Sequence, residues 1–189
     1  MFKLTLFRPL AALMLCVVTV TASAAQTPDK QLHSLLDAIW DYEISTSPLM
    51  ASREGVKGYD HLLSDISPEA LATQNKQWTR FADQLAAINA DTLSQEDRIS
   101  LLMQQYRLNN KIDQYRFNAY WVPLTSEYGF HSAMSSLPGS VIFKTEKDYQ
   151  NYLSRLGAIS GYFDQQMAYM RKGIDAGYTQ PKVVLQGFE

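Results

Sequence analysis

Metal and acid–base chemistry would fall first to histidine, and the chain has three: His33, His61 and His131. A zinc-peptidase helix needs two histidines one turn apart with a glutamate beside the first. The imidazoles bind the metal and the carboxylate polarises water. No two histidines here stand at that spacing. His61 and Asp65 share a face at i, i+4 if their stretch is helical, which suits either a ligand pair or a local surface hydrogen bond. His33 has Asp29 and Asp37 one turn away on either side, an arrangement that a solvated helix face explains equally well. There is no glycine-rich phosphate loop and no nucleophile elbow. Serine, histidine and aspartate are all present, but a triad is made by folding and not by spacing. The sequence therefore assigns no catalytic residue and no metal ligand.

Binding chemistry has more material. The run from Tyr106 to Trp121 interleaves Arg107, Lys111 and Arg116 with Tyr106, Tyr115, Phe117, Tyr120 and Trp121. Stacking plus phosphate contact would make it a nucleic-acid surface. A cleft wall would place Arg107 or Arg116 against a substrate carboxylate. A plain buried helix would let the arginine stems lie along apolar surface and carry their heads to water. His131, within Tyr128-Gly129-Phe130-His131-Ser132, lies in a long connection, where it lines a ligand site or simply accompanies a turn that packs its aromatic inward. The candidate substrate-binding residues are His131, Arg107 and Arg116.

The elements that must position these residues read as helices. Thr27-Pro28 is a cap with proline at the first helical position. Leu32, Leu35, Leu36, Ile39 and Trp40 then form one apolar face that ends before Pro48. Pro48, Gly55 and Gly58 make 46–66 a loop with a turn of helix near His61. Ser67-Pro68 opens a second helix whose stripe is Leu71, Trp78, Phe81, Leu85 and Ile88. Ser94 to Asp97 resembles a capping box and starts a third helix, expected to reach Trp121 and to be about 40 Å long. It carries two stripes, one of Ile99, Leu102, Met103 and Tyr106, the other of Leu101, Leu108, Ile112, Tyr115 and Ala119. Two stripes predict a helix sandwiched between layers. Residues 123–144 form a long connection with an extended piece at Val141-Ile142-Phe143. Thr145 to Asp148 repeats the capping pattern, and the helix it starts presents Tyr149, Tyr152, Leu153, Leu156, Phe163, Met167, Met170 and Ile174. Gly157 and Gly161 predict a kink or a break near Ser160. Gly177 stops the helix, and Val183-Val184-Leu185 begins a further element. The fold class is all-α: a multi-helix array with one long central helix and a long loop.

The first residues predict export. Lys3 and Arg8 precede an apolar run from Leu10 to Val20, and Ala22 and Ala24 suit signal-peptidase cleavage before Ala25. The expected domains are a signal peptide at 1–24 and a helical domain at 25–189. The only cysteine, Cys16, lies in the signal and follows Leu15, which argues against a lipid anchor; the mature chain has no disulfide and no thiolate site. Losing Lys3 and Arg8 takes the net charge from −2 to about −4. That balance and export argue against nucleic acid as partner. No later segment is apolar enough for a stable membrane anchor, and the expected location is periplasmic or secreted.

Three stretches resemble the bacterial family called domain of unknown function 885. The first is Leu93-Ser94-Gln95-Glu96-Asp97-Arg98-Ile99. The second is Pro123-Leu124 with Gly129-Phe130-His131 and Leu137-Pro138. The third runs from Asp148 to Leu156, followed by Tyr162-Phe163-Asp164-Gln165-Gln166, Gly173 and Ala176 to Pro181. The resemblance implies a mostly helical, zinc-carboxypeptidase-like protein of several hundred residues acting on a peptide substrate. It also implies zinc held by a His-Glu-Ala-x-Pro-Gly-His type motif in the C-terminal half. Nothing in this sequence matches that motif, so no catalytic or metal residue carries over and the chain itself holds no cofactor. The resemblance covers the family's N-terminal portion, a scaffold and substrate-cleft wall. On that reading, helix faces that meet the remainder form a large exposed apolar patch. A self-contained periplasmic helical binding module for a peptide or protein partner, with a closed core, is the alternative.

Overall fold

The computed structural model describes residues 27–125, 127 and 129–186. The expected signal peptide, Tyr128 and the last three residues lie outside them. The protein is all-helical, with no strand among the described residues and one isolated bridge between Leu124 and Gly129. Six α-helices are described: α1 (Pro28–Thr46), α2 (Pro48–Arg53), α3 (Pro68–Ala86), α4 (Gln95–Arg116), α5 (Phe130–Ser135) and α6 (Glu146–Asp175).

Helices α1, α3 and α4 pack on one another around Leu32, Ile39, Trp78, Phe81, Leu85, Ile88, Leu101 and Leu108. These are the predicted stripes of the first two helices and the second stripe of the third. Each helix start has a local cause. Proline occupies the first turn of α1, α2 and α3, where its missing N–H costs nothing. Ser67 Oγ accepts from the Ala70 N–H at 3.2 Å, and Ser94 Oγ from the Asp97 N–H at 3.1 Å. At α6 the capping box closes, since Thr145 Oγ1 accepts from the Asp148 N–H while Asp148 Oδ2 accepts from the Thr145 N–H at 2.8 Å. Those backbone donors, from Lys144 and Thr145, hold the Asp148 carboxyl below its ordinary value.

Four expectations are corrected. Pro48 starts α2 instead of merely breaking the chain, and the residues around His61 are turns, not helix. The third helix ends at Arg116, because Asn118 adopts a left-handed φ of 54° and a 3-10 turn at Ala119–Trp121 follows. Val141 has the expected extended backbone, without strand pairing from Val141 to Phe143, but α5 and a 3-10 turn at Leu137–Ser140 divide the long connection. Helix α6 runs unbroken for 30 residues through Gly157 and Gly161, and it, not α4, is the longest described helix. Both glycines are exposed with open space around them. Each costs about 1 kcal/mol relative to alanine, less than the contacts on either side of them return. At the far end, Tyr178 N–H donates to Gly173 O at 2.7 Å and Gly177 N–H to Ile174 O at 3.0 Å, with Gly177 at φ 78°. This is the double bond of a glycine-terminated helix.

The buried residues of α6 are Arg155, Gln166, Tyr169 and Gly173, not its apolar stripe. Tyr149, Leu153, Met167 and Ile174 are exposed. Arg155 is 1% exposed and donates from Nε to Leu62 O at 2.8 Å and from Nη2 to Tyr59 O and Ser52 Oγ, both at 2.8 Å. Fourteen residues on, the Tyr169 hydroxyl donates to Ile66 O at 2.6 Å. Helix α6 thus ties down the α2-to-α3 connection by hydrogen bonds. Its other end packs on the Ala119–Trp121 turn, where Tyr120 meets Tyr169 edge-on at 4.9 Å. A side chain at Gly173 would crowd the Trp121 carbonyl, 2.9 Å from the position of an added Cβ.

Outside this core, His33 Nε2 stands 2.7 Å from Asp97 Oδ1, tying α1 to the start of α4. Asp97 therefore completes no capping box with Ser94.

Two outcomes follow. Arg155→Met should lower stability by about 2 kcal/mol or more, because Leu62 O and Ser52 Oγ lose the guanidinium donor and Tyr59 O keeps only the Leu62 N–H. Limited proteolysis should then cut first within 54–66, and an unchanged thermal midpoint would contradict the tie. For His33, the Asp97 hydrogen bond and charge raise the imidazole above its ordinary 6.5, and the same contact lowers Asp97 below its ordinary 3.8. The imidazolium's contribution is full below pH 6.5 and lost as pH rises through the raised value. The carboxylate's is present above pH 3.8 and lost as pH falls through the lowered one. An NMR titration should show the His33 midpoint dropping in Asp97→Asn, with little change in global stability because both groups are at the surface.

Candidate functional site

One carboxylate lies where an apolar residue is expected. Glu43 follows Leu32 and Ile39 on the inward stripe of α1 and is 5% exposed. Buried charge survives only when paired. Arg107 Nη2 donates to both Glu43 oxygens at 3.1 Å, Arg107 Nη1 donates to Gln104 Oε1 at 2.8 Å, and Lys111 Nζ stands 3.4 Å from Glu43 Oε1. Gln104, Arg107 and Lys111 fall at i, i+3 and i+7, so one face of α4 supplies the whole cradle.

Lys111 also lies over the Trp78 ring, 5.0 Å from its centroid, within cation–π range. Trp78 in turn receives the edge of Tyr42 at 4.8 Å. Burial raises the Tyr42 phenol above its ordinary value, so it stays protonated. Beyond Lys111 opens a cleft of about 500 Å³ between α3, α4 and the Ala119–Trp121 turn, a size usual for small-molecule sites. Leu71, Trp78, Tyr115 and Tyr120 give it apolar and aromatic walls, and Asn75, Lys111 and Gln114 give it polar groups. Asn75 Oδ1 is buried and has no hydrogen-bond donor. The Tyr120 phenol, raised by burial and by Tyr115, donates to Asn118 Oδ1 at 3.1 Å.

The three sequence candidates are not brought together. Arg107 is engaged by Glu43. Arg116 lies nine residues further on, about 13 Å along the axis and half a turn round, with its guanidinium 5.2 Å from the Phe117 ring centroid. His131 is half-buried in α5, where Phe130 packs edge-on against Phe163 of α6 at 4.9 Å. None of the three is among the residues lining the cleft. Sequence reasoning did not single out Glu43, Lys111 or Asn75. The signal available was a carboxylate on the apolar stripe of α1.

Among the described residues no three histidine, cysteine, aspartate or glutamate side chains are grouped to hold a metal ion. His33 is taken by Asp97 and His61 is exposed on a turn. The described residues therefore do not fit the zinc that the family resemblance implies. The Glu43 carboxylate is held between two cations, Arg107 and Lys111.

In comparison with known proteins, residues 48–189 match the family described as "Bacterial protein of unknown function (DUF885)". No curated protein and no solved structure matches. The matched span takes in α2 to α6 and the cleft, but not α1, which carries Glu43.

The Arg107 assignment has a direct check. Arg107→Met should destabilise by about 2 kcal/mol, since Glu43 keeps only the longer Lys111 contact. Adding Glu43→Gln should recover part of that loss, and strictly additive losses would show that the pair is not coupled.

Proposed function

Because the chain belongs to the DUF885 family of bacterial proteins, we propose that it is the N-terminal, non-catalytic portion of an exported zinc-metallopeptidase-like protein, forming scaffold and substrate-cleft wall. The reading rests on α4. Its stripe of Leu101, Leu108 and Ile112 packs into the core with α1 and α3, while Ile99, Leu102, Met103 and Tyr106 are 51%, 53%, 62% and 72% exposed. Four large apolar side chains on one face at i, i+3, i+4 and i+7 are the pattern of a helix with a second layer against it. The outward stripe of α6 adds a second such face. The substrate of the whole assembly is a peptide, and zinc is held by the other portion. In this portion Arg107, Arg116 and His131 are the proposed substrate-facing residues, with Arg107 reaching a carboxylate only by giving up part of its hold on Glu43. No described helix is long and apolar enough to cross a membrane, in keeping with a periplasmic or secreted protein. The aromatic cleft beside Lys111 favours a second reading, a self-contained periplasmic helical module binding a peptide or protein partner.

The test starts with the coding DNA beyond the codon for Glu189. A segment encoding His-Glu-x-x-Pro-Gly-His, in frame or one shift away, should co-purify with this chain when the two are co-expressed. Zinc and peptidase activity should appear only in the complex. Leu102→Glu with Met103→Glu should prevent assembly and leave the thermal midpoint of this chain unchanged. Unrelated sequence beyond the codon, or peptide hydrolysis by this chain alone, would sink the proposal.

A further inference from the structure

The Glu43 cluster is not electrically balanced. One buried carboxylate is shared by two cations, with Arg107 holding both oxygens at 3.1 Å and Lys111 reaching one at 3.4 Å. One positive charge is left over, and it is the ammonium that lines the cleft. No acidic residue is among the cleft's lining residues. A lysine ammonium has three N–H donors and no acceptor. The Glu43 contact takes one, and the Trp78 face 5.0 Å away offers only a π surface. The ammonium therefore retains capacity for an anion. Beside this ammonium the walls are Leu71, Trp78, Tyr115 and Tyr120, which take an aromatic or aliphatic body.

We propose that this cleft binds an aromatic carboxylate, with its carboxylate on Lys111 and its ring against Trp78, Tyr115 and Tyr120. A free N-acylated aromatic amino acid and the carboxyl end of a peptide share this chemistry. The proposal does not depend on the scaffold reading, because α3, α4 and the Ala119–Trp121 turn form the cleft within this chain.

The experiment uses N-acetyl-tryptophan, its carboxamide, and the tripeptide Ala-Ala-Trp with a free or an amidated carboxyl end. Binding to the full chain is followed by isothermal titration and by the NMR signal of the Trp78 indole N–H. N-acetyl-tryptophan should bind about tenfold more tightly than its carboxamide, the size expected of one charge-assisted hydrogen bond. Lys111→Met, which keeps the stem against Trp78, should erase that difference. If the free-ended tripeptide also outbinds its amide tenfold, the cleft takes peptide ends; if only the small acid does, it takes free acids. Either result supports the site. Equal binding of acid and amide to the wild-type chain, or no shift of the Trp78 signal with any of them, overturns it. The wild-type comparison decides the matter even if a variant fails to fold.

Discussion

Arg155 is the constraint on which the arrangement of the other parts depends. A guanidinium 1% exposed normally has a carboxylate beside it, and here hydrogen bonds run instead to the carbonyls of Tyr59 and Leu62 and the hydroxyl of Ser52. Burial pulls its pKa down from the ordinary value, and the charge of Asp60 opposes that pull. The exchange is two-sided. The connection between α2 and α3 has carbonyls that no helix ladder uses, and a planar five-donor fork can reach several of them at once. Satisfying them fixes the path of the connection, and the connection fixes where α6 lies relative to α1, α3 and α4.

That mode of attachment explains why α6 looks inside out. A helix is usually held by its apolar stripe. Here the polar and small residues Arg155, Gln166, Tyr169 and Gly173 are the buried ones, and Arg155 and Tyr169 meet the carbonyls of Tyr59, Leu62 and Ile66. The apolar residues Tyr149, Leu153, Met167 and Ile174 are left exposed, while Phe143 packs on Tyr149 and Tyr152 at one end and Phe130 on Phe163 near the middle. The molecule thus has two kinds of interior: a conventional apolar one among α1, α3 and α4, and a hydrogen-bonded one under α6. The cleft with Lys111 lies where the first of these meets the turn that α6 packs on.

The conventional interior was legible in the sequence. The stripes of Leu32 and Ile39, of Trp78, Phe81 and Leu85, and of Leu101 and Leu108 are periodic, and periodicity is local information. So were the caps at Ser67, Ser94 and Thr145 and the stop at Gly177. The hydrogen-bonded interior was not, because a buried arginine between Ser154 and Leu156 looks like any surface arginine until its distant acceptors are known. The same holds for the site. Arg107 stood out by its aromatic neighbours, whereas Glu43, which engages it, is 64 residues away. The end of α4 was misread because Asn118 gives no warning of its left-handed turn beyond being asparagine, the residue most tolerant of it after glycine.

The outward stripe of α6 has one more property. Tyr149, Leu153, Leu156, Ser160, Phe163, Met167, Met170 and Ile174 alternate steps of four and three, an average close to 3.5 residues per turn. A straight helix turns in 3.6, so such a seam drifts slowly around it with a left-handed sense. A helix laid along the parts of that seam that Phe143 and Phe130 leave open would therefore wind with α6 at a shallow crossing angle of about 20°. The exposed stripe of α4 is too short for that and is satisfied by a steep crossing near 50°. Neighbours packed on the two exposed faces would differ in length and inclination.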